Sequence, residues 1–65
     1  MKKFLGCSYN SKDKIIFKAY ILAVDDGDAK SKFIKYLKEN NISDDFFTID
    51  GDYSGIMEAE FLEIK

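Results

Sequence analysis

The chain of 65 residues contains no histidine, arginine, tryptophan or proline, and it has a single cysteine. Without histidine it lacks an imidazole base near neutral pH, a histidine-activated nucleophile and a histidine-ligated transition metal. Without arginine it lacks the planar guanidinium group that clamps phosphate or carboxylate, so all ten cationic side chains are lysines. A chain this short also has little depth for a ligand pocket. We therefore expect no catalytic residue, no metal and no cofactor, and a protein that is not an enzyme.

The single cysteine, Cys7, cannot close an intramolecular disulfide, which fits a reducing compartment and predicts a cytoplasmic location. Its place in a strand pattern predicts a small buried apolar side chain. No apolar stretch approaches the roughly 18 residues that a membrane span needs, so no membrane association is predicted. Lysine, asparagine, isoleucine and aspartate are used in place of arginine, proline and tryptophan. This usage suggests an AT-rich genome, such as that of a low-GC bacterium or its phage.

The composition describes one small globular domain over residues 1–65, with 46% hydrophobic residues, 34% charged residues and a formal net charge of −2. A domain of this size buries only about 60% of the surface that its unfolded chain exposes. Its stability should therefore be marginal unless a partner or a second copy covers more of it.

The first half of the chain has the pattern of a β-hairpin. Residues 3–9 form the first predicted strand, the turn formers of 10–13 follow, and residues 14–24 form the second strand. The second strand alternates between two faces, of which one is wholly apolar. That face carries Ile15, Phe17, Ala19, Ile21 and Ala23.

The pattern then changes to a helical period. The segment Asp25–Asp28 supplies carboxylates suited to a helix start, and the helix is predicted over Ala29–Asn40. Its apolar stripe holds Ala29, Phe33, Tyr36 and Leu37. Asn40 and Asn41 favour the left-handed conformation that ends a helix.

Two more strands are predicted at Asp45–Asp50 and Ile56–Ile64, joined by a glycine-containing connection. The fold class is therefore α+β: a two-layer ββαββ sandwich with one amphipathic helix on a four-stranded, mainly antiparallel sheet. The predicted strand order is 1-2-4-3, which makes every neighbouring pair antiparallel. The helix stripe should pack on Phe17, Ala19, Ile21, Met57, Ala59 and Phe61.

This topology should bring both Asp-Gly-Asp triplets to one end of the sheet. We call this end the acidic pole, and we predict that it contacts a partner electrostatically; binding of a hard divalent cation such as Ca²⁺ or Mg²⁺ is the alternative, which the pattern favours less. The simpler interpretation is a helix start and a hairpin turn, both of which favour aspartate and glycine. No spacing matches an EF-hand loop. The acidic pole consists of Asp25, Asp26, Asp28, Asp50 and Asp52.

The sheet face away from the helix should be largely apolar, because the second and fourth predicted strands also carry apolar residues at the alternate positions. A single helix cannot cover both faces, so this face should be exposed or occupied by a partner. Exposed apolar patches commonly mark interfaces, so this face predicts a homodimer or a contact with a partner protein. The alternative is that the stems of Lys18, Glu58 and Glu60 shelter it. The predicted interface residues are Tyr20, Leu22, Leu62 and Ile64.

A lysine face lies on the outer side of the predicted helix, at Lys32, Lys35 and Lys38, and could follow a phosphate backbone. A solvated helix surface explains the same pattern.

Two function classes remain. The first is a small non-enzymatic protein-binding or regulatory module, such as a phage or mobile-element inhibitor that occupies a host protein through the acidic pole and the apolar face. The alternative is a nucleic-acid-binding accessory protein that uses the lysine face.

Overall fold

The computed structural model describes residues 1–11, 13–51, 53 and 62–65. One helix lies on one face of a four-stranded sheet, which confirms the predicted α+β class and the ββαββ order. Among these residues, no helix combines the length and the apolar character needed to cross a lipid bilayer. The elements are β1 (Lys2–Tyr9), β2 (Ile15–Ala23), α1 (Asp26–Glu39), β3 (Phe46–Gly51) and β4 (Leu62–Ile64).

The strand order is β3-β1-β2-β4, so the predicted order 1-2-4-3 is wrong. Strand β1 pairs antiparallel with both β2 and β3, whereas β4 pairs with β2 in parallel. The sheet is therefore mixed. The prediction placed the two most apolar strands, β2 and β4, at the centre. In the structure β1 takes a central position beside β2, and its small residue Gly6 lies directly beneath the helix.

Gly6 is the residue of β1 that lets α1 approach the sheet. A Cβ atom at this position would lie 2.7 Å from Ile21 Cδ1 and 2.8 Å from the Phe33 ring. Both distances are too short for carbon atoms that are not bonded to each other, so a side chain here would clash, and only glycine fits beneath the helix without a shift of its neighbours. Next to it, the buried hydroxyl of Ser8 donates a 2.7 Å hydrogen bond to the Ser43 carbonyl oxygen. This bond ties β1 to the loop that leads into β3.

The core lies between α1 and the sheet face that we call the inner face. The predicted helix stripe is confirmed, because Ala29, Phe33 and Leu37 are fully buried. Tyr36 at the edge of the stripe is half-buried and stacks on Phe17 with ring centroids 5.5 Å apart. The predicted core partners Met57, Ala59 and Phe61 lie outside the described residues. The buried core comprises Phe4, Ala19, Ile21, Ala23, Ala29, Phe33 and Leu37.

The helix begins at Asp26, earlier than the predicted start at Ala29, because Asp25 occupies the N-cap position. At the other end Asn41 has a φ of 56°, which confirms the predicted left-handed stop. The backbone N–H of Ile42 then donates to the Leu37 carbonyl oxygen at 2.8 Å. The helix therefore has a side-chain cap at its start and a left-handed residue just past its end.

The described part of the fourth strand is Leu62–Ile64, and residues 56–61 of the predicted strand lie outside the described residues. Leu62 pairs with Ala19 and Ile64 pairs with Ile21, so both side chains lie on the inner face. Their predicted place on the opposite face is wrong. In residues 57–64 both alternating sets contain apolar residues as well as glutamate, so the pattern does not decide which set faces the helix. The predicted choice put Leu62 and Ile64 on the wrong side.

Candidate functional site

The four described residues of the acidic pole do not form one cluster. Strands β2 and β3 both run antiparallel to β1, so their carboxyl ends point the same way, as predicted. Asp50, however, pairs with Leu5 of β1, and Leu5 pairs on its other side with Tyr20 of β2. Tyr20 lies three residues before Ala23, the last residue of β2. That offset separates Asp50 from Ala23 by about 10 Å along the strands and about 10 Å across them. Asp52 lies outside the described residues. Within the described part of the chain, no group of three or more acidic or cysteine side chains could hold a metal ion.

Two of the pole residues cap the helix. The Asp28 backbone N–H donates to Asp25 Oδ1 at 2.8 Å, and the Val24 backbone N–H donates to Asp28 Oδ2 at 3.1 Å. The Val24 N–H and then the Lys32 ammonium, 3.3 Å from the same oxygen, hold the pKa of Asp28 below its ordinary value. The Asp28 side chain is therefore a carboxylate at neutral pH. Asp25 and Asp28 have a structural role here, while Asp26 is exposed in the first turn.

The four predicted interface residues do not share one surface. Tyr20 and Leu22 alternate with core residues of β2 and lie on the outer face of the sheet, whereas Leu62 and Ile64 lie on the inner face. Tyr20 is only 3% exposed. The Tyr53 ring packs against it at 6.0 Å between centroids.

The centre of the outer face is buried within a single chain. The Lys3 ammonium lies 5.1 Å from the centroid of the Tyr20 ring, in a cation–π contact. In the neighbouring row, Cys7 is 4% exposed, which confirms the predicted buried thiol. The middle of this face is therefore not an open apolar patch.

The lysine face is partly engaged in the fold. The Lys32 ammonium donates to the Leu22 carbonyl oxygen at 2.8 Å, and it also pairs with Asp28. Lys38 lies 3.9 Å from Asp44 Oδ2 and remains largely exposed. Lys35 is exposed and lines a groove of about 420 Å³ between α1 and β4. This groove carries both charges, since its lining is Lys32, Lys35, Tyr36, Glu39, Glu63, Ile64 and Lys65.

A row of apolar side chains, two of them exposed, crosses the outer face at the end of the sheet that lies opposite Asp25 and the start of α1. A register shift between Ser8 and Tyr9 places Tyr9 opposite Ile15 of β2, and Tyr9 pairs with Phe46 of β3 on its other side, so the three residues are neighbours across the sheet. Phe46 is 54% exposed and Ile15 is 48% exposed. We call these three residues, two of which are aromatic and one aliphatic, the aromatic row. Sequence analysis missed this row for two reasons. The predicted place of Ile15 on the face of Phe17 is wrong, because the register shift in the β1–β2 pairing interrupts the alternation. The faces of β3 could be assigned only after its pairing with β1 was known.

A groove of about 410 Å³ adjoins the aromatic row. Its polar groups are the Asp13 and Asp45 carboxylates and the Thr48 hydroxyl, which lies 3.5 Å from the Tyr9 hydroxyl. No lysine occurs among the described residues that line it. The lining is Tyr9, Asp13, Asp45, Phe46, Phe47 and Thr48.

Strand β3 forms the neighbouring edge of the sheet. In the part of the chain that the structure describes, no strand pairs with the edge of β3 that faces away from β1. The Tyr53 backbone N–H donates to the Lys3 carbonyl oxygen at 2.8 Å, so the described chain beyond β3 stays on the β1 side. Residues 44–52 contain the four aspartates Asp44, Asp45, Asp50 and Asp52 and no lysine. As far as the described residues go, this edge therefore combines backbone groups without a strand partner, exposed aromatic surface and negative charge.

Comparison of the chain with protein-family models, with curated proteins and with solved structures gives no match.

Proposed function

We propose that the chain is a non-enzymatic protein-binding module that regulates another protein by occupying a basic part of its surface. The observation that carries the proposal is the β3 side of the sheet, where Asp45 lines the same groove as Tyr9 and Phe46 and Asp50 lies on the same face of β3 as Phe46. In its narrower form, the module is an inhibitor carried by a phage or mobile element and directed at a host protein.

The chemistry of this side suits a protein partner better than a small substrate. Exposed aromatic side chains supply contact area at low entropic cost, and a rim of like charges steers and selects a partner of opposite charge. Asp50 is the described residue that the original acidic pole shares with this surface. Asp45 and Asp13 extend the negative surface toward the groove.

The alternative function is a nucleic-acid-binding accessory protein that uses Lys32, Lys35 and Lys38. Its electrostatic basis is weaker, because Lys32 is held by Leu22 and Asp28, and Lys38 lies near Asp44. Polyanion binding by the remaining lysines should show a steep dependence on salt. A salt-sensitive shift of DNA or RNA in a gel would favour this alternative over the protein-binding module.

The proposal is tested by zero-length cross-linking in a lysate of the organism that encodes the chain. A carbodiimide joins carboxylates directly to lysine amines, so a basic partner should be linked to Asp45 or Asp50 and identified by mass spectrometry. The double variant Asp45→Asn/Asp50→Asn should weaken capture of that partner about three- to tenfold, as expected for two exposed charge contacts.

The matched control is Glu39→Gln/Glu63→Gln, which changes the net charge equally at the groove beside β4. Capture by the control should equal that of the unaltered protein. If the control weakens capture and the Asp45/Asp50 variant does not, the binding surface is on the wrong side and the proposal fails.

A further inference from the structure

We propose that β3 binds its partner by strand addition, with an extended basic segment of the partner pairing along the outer edge of the strand. This inference rests on the proposed function and states its binding mode. A strand edge offers a row of backbone N–H and C=O groups at a fixed spacing, which an extended peptide satisfies with its own backbone.

Within the described residues, the edge of β3 lacks several features that commonly block such pairing. Natural edge strands are commonly protected by lysine, proline, a bulge or very short length. Strand β3 has six residues, Phe46–Gly51, and contains neither lysine nor proline. Its pairing with β1 runs without a register shift from Phe46 to Gly51. The strand is therefore regular enough to accept a neighbour along its whole length.

The two faces of β3 specify an alternating partner. On the inner face, Phe47 and Ile49 are half-buried against the core and would be covered further by apolar side chains. On the outer face, Phe46, Thr48 and Asp50 are exposed. There a lysine or arginine could lie over the Phe46 ring or beside the Asp50 carboxylate. Because paired residues share a face, the favoured segment alternates basic and apolar residues.

Charge favours a basic segment over a second copy of this chain. Antiparallel self-pairing centred on Thr48 would place Phe46 opposite Asp50 of the second copy and Phe47 opposite Ile49, which suits the side chains. It would also bring together two segments that each carry four aspartates and no lysine between residues 44 and 52. Like charges on adjacent strands repel. A basic strand relieves this repulsion, so the occupant that we infer is a basic extended peptide.

The test uses an alternating lysine–valine octapeptide and amide NMR spectra of the isotope-labelled protein. We expect chemical-shift changes and slowed hydrogen exchange at the amides of β3. An octapeptide of the same composition with its lysines and valines in two blocks should bind at least about tenfold more weakly, because it cannot match both faces. An alternating glutamate–valine peptide should not bind.

Backbone pairing is tested with two N-methylated forms of the alternating peptide, one methylated at the valines and one at the lysines. Successive N–H groups of a strand point to opposite sides, so only one form loses the donors that face β3. That form should bind more than about tenfold more weakly, and the other should bind nearly as well as the parent. If both forms bind equally, strand addition is excluded, while capture that depends on Asp45 and Asp50 would leave the proposed function standing.

Two further outcomes also overturn the inference. Shifts confined to the lysine face or to the groove beside β4 would place the peptide elsewhere. A homodimer in which the β3 amides are protected without peptide would make a second copy the occupant. The variant Asp45→Asn/Asp50→Asn should bind the alternating peptide about three- to tenfold more weakly, and Glu39→Gln/Glu63→Gln should bind it unchanged.

Discussion

At the scale of single residues, the aspartates near Gly27 show how one residue type can suggest two roles. Asp25 and Asp28 satisfy backbone N–H groups at the start of α1, and Lys32 joins the same arrangement from one turn later. The Asp28 N–H lies in the first turn of the helix, where no preceding carbonyl oxygen is available, and the Val24 N–H belongs to the residue just before the N-cap. The local backbone alone therefore accounts for the choice of aspartate at these two positions.

The Asp25 cap leads to a stability prediction. Replacing Asp25 by alanine removes the acceptor for the Asp28 N–H and should lower the free energy of unfolding by about 1 kcal/mol. The variant Asp25→Asn keeps an acceptor oxygen and should stay close to the unaltered protein. Urea unfolding followed by circular dichroism measures both. Equal losses for the two variants would show that charge, rather than the hydrogen bond, stabilises the helix start.

At the scale of elements, the close approach of α1 to β1 ties the helix to the middle of the sheet. Phe33 is fully buried at the centre of the helix stripe, and its ring lies against the bare backbone of Gly6. Phe47 contacts the same ring edge-on from β3, with centroids 6.0 Å apart. One aromatic side chain thus joins the helix to both the central strand and an edge strand.

Two glycine variants separate this contact from ordinary glycine effects. The substitution Gly6→Ala places a methyl group against Ile21 and Phe33 and should destabilise the protein by about 1–3 kcal/mol. At Gly27 the nearest atom to an added Cβ is Asp25 Oδ1 at an ordinary 3.6 Å, so Gly27→Ala should stabilise the helix by about 0.5–1 kcal/mol. Thermal unfolding of both variants checks the opposite signs. A Gly6→Ala protein as stable as the parent would show that α1 does not need the close approach.

The sequence predicted what depends on local periodicity and missed what depends on pairing partners. The stripe Ala29, Phe33 and Leu37 follows from a period of 3.6 residues, and the stop at Asn41 follows from side-chain chemistry. Strand order has no such local signal. The apolar character of β2 did not reveal that β1, with Gly6 and Ser8, would be paired on both sides. The aromatic row depends on that pairing, which is why it could not be found before the register was known.

At the scale of the whole molecule, the arrangement of charge bears on self-association. The predicted dimer required an open apolar outer face, but Tyr20 at its centre is covered by Tyr53 and Lys3. The edge strand β3, whose far side pairs with no other described strand, contains Asp50 and directly follows Asp44 and Asp45. Both features oppose association between identical chains at neutral pH and low salt.

We therefore expect a monomer in light scattering across a concentration series at low salt. The variant Asp45→Asn/Asp50→Asn removes repulsion at the β3 edge and should associate as concentration rises. Glu39→Gln/Glu63→Gln, with the same net charge, should remain monomeric. A dimer of the unaltered protein would instead restore self-association as the use of one of its faces.

The central position of β1 also has a consequence for the order in which the chain folds. Its pairing with β2 closes a short hairpin, whereas its pairing with β3 joins segments that are separated in the chain by the whole of β2 and α1. The parallel pairing of β2 with β4 joins segments equally far apart in the chain. Contacts between distant residues slow folding because the loop-closure entropy is lost before the contacts form. A chain of this length should thus fold more slowly than a helical bundle of equal size, through an early hairpin whose two outer edges stay unpaired until the remaining strands arrive.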